Sequence, residues 1–268
     1  MTLLLKLMLA PLLVVGSSLA GRRWGDRVTG VLVAFPIVAG PILLITCLEQ
    51  GVEFGARAAA ASLLGLVSLA VFAVVFAHAG RRWHWWAALV AAWLATGLAD
   101  VVLAGQSLAA GWALLLVLAA IVAGRRLIAA VDGEPPAGKA VRPPWWDLPG
   151  RAVATAALVL FVTGIAATAG PVVTGILAPF PIATSVVAGF VHSQQGAAAA
   201  VRTMAGVLQG LAGFAVFGFL TSVLLVPAGA GAAFAVAILG VLVSQAAVML
   251  ARRRRRAEVT AAPQKPDA

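Results

Sequence analysis

Three histidines, one cysteine and a small set of hydroxyl, amide and charged side chains are all that this sequence offers for chemistry. His78, His84 and His192 are scattered, and neither Cys47 nor an acid stands near them at metal-ligand spacing. No nucleophile, base and acid form a plausible set. The sequence therefore predicts no metal, no cofactor and no catalytic residue, and no enzymatic activity is expected. Cys47 is alone, so there is no internal disulfide framework.

The informative polar residues are those that recur. TGVLVAFPI, from Thr29 to Ile37, returns as TGILAPFPI from Thr174 to Ile182. Between residues 25–37 and 170–182, eight of thirteen positions are identical. At the same offset Gln50-Gly51 meets Gln195-Gly196, Arg57 meets Arg202, and Ala70-Val71-Phe72 meets Ala215-Val216-Phe217. One fixed offset without a gap reads as an internal duplication. Thr29, Gly30, Phe35 and Pro36, with Thr174, Gly175, Phe180 and Pro181, are candidates for a substrate-binding site or pathway. Proline inside a helix removes a donor and clashes with the preceding turn, and paired interruptions in two halves of a membrane protein point to a midplane site. The alternative is that kinks and small residues only let helices approach.

A second candidate set is a loop polar cluster, Glu49, Gln50 and Arg57 with Gln194, Gln195 and Arg202. Each arginine could cap carbonyls left free at the end of the preceding helix, pair with Glu49 or Glu53, or help bind an anion or lipid headgroup at each face. His192 has Cys47 as its counterpart and breaks the symmetry, so packing at the interface is expected of it. Lys6 and Asp100 fall near span ends and His78 near the end of the third span. Acids deep inside spans are scarce, which argues against proton coupling through buried carboxylates.

These residues must be positioned by apolar segments. Of the residues, 62% are hydrophobic and 10% charged, against about 25% charged in soluble domains. The apolar residues come in blocks long enough to cross a bilayer as helices. Nine spans are expected, near residues 3–20, 28–48, 57–79, 85–104, 107–130, 152–169, 171–192, 201–226 and 230–250. The first also resembles a signal peptide, but Lys6 sits inside its apolar stretch and Arg22 and Arg23 follow it, so it is kept as a span. With the N-terminus outside and the C-terminus cytoplasmic, 17 of the 19 basic residues face the cytoplasm, leaving Lys6 and Arg57. Tryptophans 24, 83, 85, 86, 145 and 146 form a cytoplasmic aromatic belt. Topology thus accounts for the net charge of +10, and nucleic acid is not an expected partner.

The expected fold is an all-α membrane protein, nine transmembrane helices as two inverted four-helix repeats joined by a linker helix. Residues 1–104 form the first repeat, 105–130 the linker helix, 131–150 a cytoplasmic loop, 151–251 the second repeat, and 252–268 a basic cytoplasmic tail. Four is an even number of crossings, so the extra helix makes the second repeat begin upside down. Arg252, Arg253, Arg254, Arg255 and Arg256 should attract anionic lipid headgroups. Inverted repeats are the plan of many secondary transporters. The expected function is a transporter or channel for a small solute, an ion or a lipid. The second reading is a non-transporting membrane subunit that supports cell-envelope or polysaccharide assembly.

The pattern of Gly30, Phe35, Pro36, Glu49, Gly51 and Arg57, repeated as Gly175, Phe180, Pro181, Gln194, Gly196 and Arg202, resembles the GlpM-like bacterial membrane proteins. The resemblance covers the second and third spans of each repeat. It implies a bacterial inner membrane and a loose link with glycerol metabolism or envelope polysaccharide. Gln194 replaces the acidic residue in the second copy, and no catalytic residue carries over.

Overall fold

The computed structural model describes residues 2–36, 39–106, 108–131, 143–168 and 181–261. Among these residues the chain is all helical: α1 (Thr2–Trp24), α2 (Asp26–Val33), α3 (Ala39–Gln50), α4 (Val52–Ala79), α5 (Trp85–Ala104), α6 (Ala110–Ala129), α7 (Asp147–Thr168), α8 (Ile182–Gln195) and α9 (Ala197–Ala261). Four of them contain stretches long and apolar enough to cross a membrane: Val52–Ala79, Trp85–Leu103, Ala110–Ala129 and Ala197–Ala247.

The last stretch is not straight. Gly229 has φ 74° and ψ 169°, a region that is essentially glycine-only, and the chain folds back there. Gly213 lies against Val241 and Gln245, and Gly240 lies against Val216 and Leu220. The arms before and after Gly229 are therefore antiparallel neighbours, and the expected spans 201–226 and 230–250 fall one on each arm. The expected span 28–48 is interrupted instead. Helix α2 ends at Val33, Pro36 is buried in the break, and α3 resumes at Ala39. The ring of Pro36 supplies no donor to continue the ladder.

Helices α4 and α9 begin 145 residues apart. Gly51 before α4 and Gly196 before α9 have φ of 92° and 85°, with ψ of 164° and 176°. Both share the glycine-only conformation that turns the chain between two helices.

Two helix pairs are antiparallel. Arg22 near the end of α1 meets Asp147 at the start of α7, and Ser18 meets Arg151 one turn further in. Leu225 of α9 lies against Gly55 of α4, and Gly218 against Leu63. Helix α2 runs parallel to the first arm of α9, with Asp26 at Arg202, Arg27 against Gly206 and Val31 against Gly210.

The core is apolar and centred on α4 and the first arm of α9. Leu63, Phe72, Phe76, Met204, Leu208 and Leu211 are fully enclosed. Helix α6 turns Ala113, Val117, Ile121, Gly124 and Ile128 inward, the spacing of one helical face. Its outer face exposes Leu115, Leu118 and Val122, as a lipid-facing helix would.

Candidate functional site

Among the described residues, the interhelical ion pairs gather at one end of the bundle. The sequence placed Asp147 in a loop, beside two prolines and two tryptophans. In the structure it opens α7, and its side chain is 1% exposed. Arg22 Nη2 donates to its Oδ2 at 2.7 Å. Arg151 Nε and Gln194 Nε2 donate to its Oδ1 at 2.9 and 2.7 Å. Arg151 lies one helical turn after Asp147, which puts both on the same face of α7. Its side chain is 3% exposed, reaches Ser18 Oγ through Nη1, and stacks its guanidinium 5.1 Å over Phe190. Burial by itself would raise the Asp147 carboxyl. The hydrogen bonds from Arg22, Arg151 and Gln194 outweigh it and hold the group below its ordinary value. Burial pulls the Arg151 guanidinium down, opposed by Asp147.

A second pair closes the same end. Arg202 donates from Nε and Nη2 to Asp26 Oδ2 at 3.0 and 2.7 Å, while its buried Nη1 has no partner. Next to these, His192 Nε2 bonds the Gly80 carbonyl at 2.7 Å. A carbonyl only accepts, so Nε2 carries the proton. The edge of Phe76 against the ring completes the packing expected of His192.

The candidate pathway residues take other places. Thr29 is buried against Gly21 of α1, and Gly30 against the Thr203 carbonyl and Val207 of α9. These are close helix contacts, with no room for a side chain at Gly30. Phe35 joins an apolar group with Cys47 and Phe217. Pro181 is buried at the start of α8. Thr174, Gly175 and Phe180 lie outside the described residues. The loop polar residues divide between two environments. Glu49 and Gln50 are exposed at the end of α3, and Arg57 stands 4.0 Å from Glu53 with both side chains in the open. Gln194 and Arg202 belong to the buried network described above, and Gln195 is exposed. Arg57 and Arg202 thus share a position in the sequence pattern but not an environment. Arg252 to Arg256 lie on α9.

A cavity of about 550 Å³ opens between α5, α7 and α8. Trp85, Leu89, Trp93, Leu158, Phe161 and Phe190 make it apolar, and Gln194 closes it next to the Asp147 network.

Asp100 lies one turn before the end of α5, near a span end as the sequence places it. It is nevertheless buried, 6% exposed, at the end of a buried stripe of Ala88, Ala92, Thr96 and Asp100 on α5. The four-residue spacing of that stripe was the available signal. The Ser68 hydroxyl of α4, 0% exposed, lies beside the carboxyl but makes no hydrogen bond of good geometry. At the 145-residue spacing, Gln245 stands against Gly213 in the hairpin of α9.

The fold and these sites define a class: an all-helical, multi-pass membrane protein whose long apolar helices contact lipid. No family model matches the sequence, and neither does any curated protein or solved structure.

Proposed function

We propose that this chain is a transporter or channel for a small solute, an ion or a lipid, built from two inverted four-helix units joined by α6. The observation that carries this reading is the antiparallel pairing of α1 with α7 and of α4 with α9, the helices that the 145-residue offset of the sequence repeat relates. Two units of one ancestry inserted upside down place equivalent helices antiparallel. The shared conformation of Gly51 and Gly196 supports the same ancestry. The break at Pro36 between α2 and α3 supports transport, because interrupted helices line binding sites in such proteins. The cavity between α5, α7 and α8 is mostly apolar, with Gln194 and Ser193 at one end and Ser185 further along, and suits an amphiphile among the three cargo classes. The bacterial inner membrane follows from the GlpM-like resemblance, and a cytoplasmic C-terminus from the distribution of arginine and lysine.

The second reading, a non-transporting subunit of an envelope assembly, is favoured by the close contact of Thr29 and Gly30 with their neighbours. The two separate in reconstituted vesicles. Purified protein should accelerate the passage of at least one class in a panel of labelled ions, polyols and short-chain lipids over protein-free vesicles. Equal rates for the whole panel would leave the assembly subunit as the better account.

A further inference from the structure

Asp100 is an ionisable group inside an apolar helix, and such groups mark ion or proton pathways. It stands about 22 Å along α5 from Trp85 at 1.5 Å per residue, roughly three-quarters of the way across a hydrocarbon core of about 30 Å and one turn before the end of the helix at Ala104. No ion pair forms with it among the described residues. The helices packed against α5 are α4 and α8, and their titratable groups are engaged elsewhere. Glu53 and Arg57 are in the open at the start of α4. His78 bonds the Val74 carbonyl, and His192 of α8 bonds the Gly80 carbonyl. Among the described residues, the hydroxyl beside the carboxyl is that of Ser68 on α4, buried and without a hydrogen bond of good geometry. The Thr96 hydroxyl donates back to the Ala92 carbonyl.

The donor set decides which cation such a site can hold. Two carboxylate oxygens and one hydroxyl are too few for a metal ion, which takes about six oxygens. They suit a proton. With Asp100 ionised, the Ser68 O–H can turn to donate to it. With Asp100 protonated, the carboxyl O–H can donate to the Ser68 oxygen. In either state the two groups can share one hydrogen bond, in a place where an unpaired polar group is strongly disfavoured.

We propose that Asp100 and Ser68 form an intramembrane proton-binding site in which the carboxyl of α5 takes up and releases one proton while the hydroxyl of α4 follows it. Within the transport reading, this makes the proton the coupling ion; the binding step itself stands apart from that reading. The sequence argues the other way, from the scarcity of acids deep inside spans; the burial of Asp100 near the end of α5 is what the structure adds.

The test is infrared difference spectroscopy on the full-length protein in lipid vesicles as the pH is stepped. The expected result is a carboxylic C=O band that disappears as the pH rises, is absent from Asp100→Asn, and is shifted in Ser68→Ala. Labelling with a hydrophobic carbodiimide, which attacks protonated carboxyls, needs no substitution. Peptide mass analysis should place the adduct on Asp100, with a yield that falls as the pH rises. A band unchanged in Asp100→Asn, or an adduct yield at Asp100 that is nil or independent of pH, overturns the proposal. Both measurements are made without a transported solute, so a failed flux panel beside a titrating Asp100 would refute only the transport reading.

Discussion

Replacing Asp147 by alanine should destabilise the protein by about 3 kcal/mol, the low end of the range of about 3–5 kcal/mol for removing one partner of a buried ion pair. The low end follows from the geometry. Arg151, with its side chain 3% exposed, would keep its charge away from water without its carboxylate. It would retain the Phe190 face and the Ser18 hydroxyl, which offset part of the loss. Arg22 is 35% exposed and can turn to solvent, so its share is below about 1 kcal/mol. A loss of about 3 kcal/mol lowers the ratio of folded to unfolded protein roughly a hundredfold. Asp147→Asn keeps an acceptor oxygen and should lose about 1–2 kcal/mol. The double variant Asp147→Ala/Arg151→Met removes both charges and should recover most of the stability, since apolar replacement of a buried pair is often neutral. The assay is reversible unfolding in mixed lipid–detergent micelles, titrated with a denaturing detergent and followed by circular dichroism. A loss below about 1 kcal/mol for Asp147→Ala, or a double variant as unstable as the sum of the single ones, would refute the reasoning.

Three further outcomes are expected. Asp147 titrates below its unfolded value of about 3.9, so its contribution is present above that pH and disappears as the pH falls through the folded value; acid unfolding should show this loss in the wild type and not in Asp147→Asn. Gly30→Leu should destabilise by about 1–3 kcal/mol or block insertion, because the side chain would enter the space of the Thr203 carbonyl; the same micelle titration reads it. Cysteines placed at the exposed positions Gln50 and Gln195, in a Cys47→Ala background, should react with a membrane-impermeant thiol reagent from opposite sides of the bilayer. Reaction from one side would end the inverted-unit reading.

How much was legible in the sequence depended on how local each cause is. The break at Pro36 could be anticipated because proline acts within one turn of helix. The environment of Asp147 could not. Its neighbours Pro144, Trp145 and Trp146 read as loop, and its partners Arg22 and Gln194 lie 125 and 47 residues away. Asp100 falls near a span end in sequence and structure alike, but its burial comes from the packing of α5 on α4.

Sequence alone determined that this chain crosses a membrane through helices and where most of them run. Runs of apolar residues, and the glycines and prolines that interrupt them, act on the backbone directly. Only the tertiary structure decided which polar groups are sealed in and with whom. Arg57 and Arg202 follow the same glycine turn at the same distance, yet one stands in the open beside Glu53 and the other grips Asp26. The difference lies in the helices that surround each side chain, and burial is a property of that surrounding and not of the local sequence.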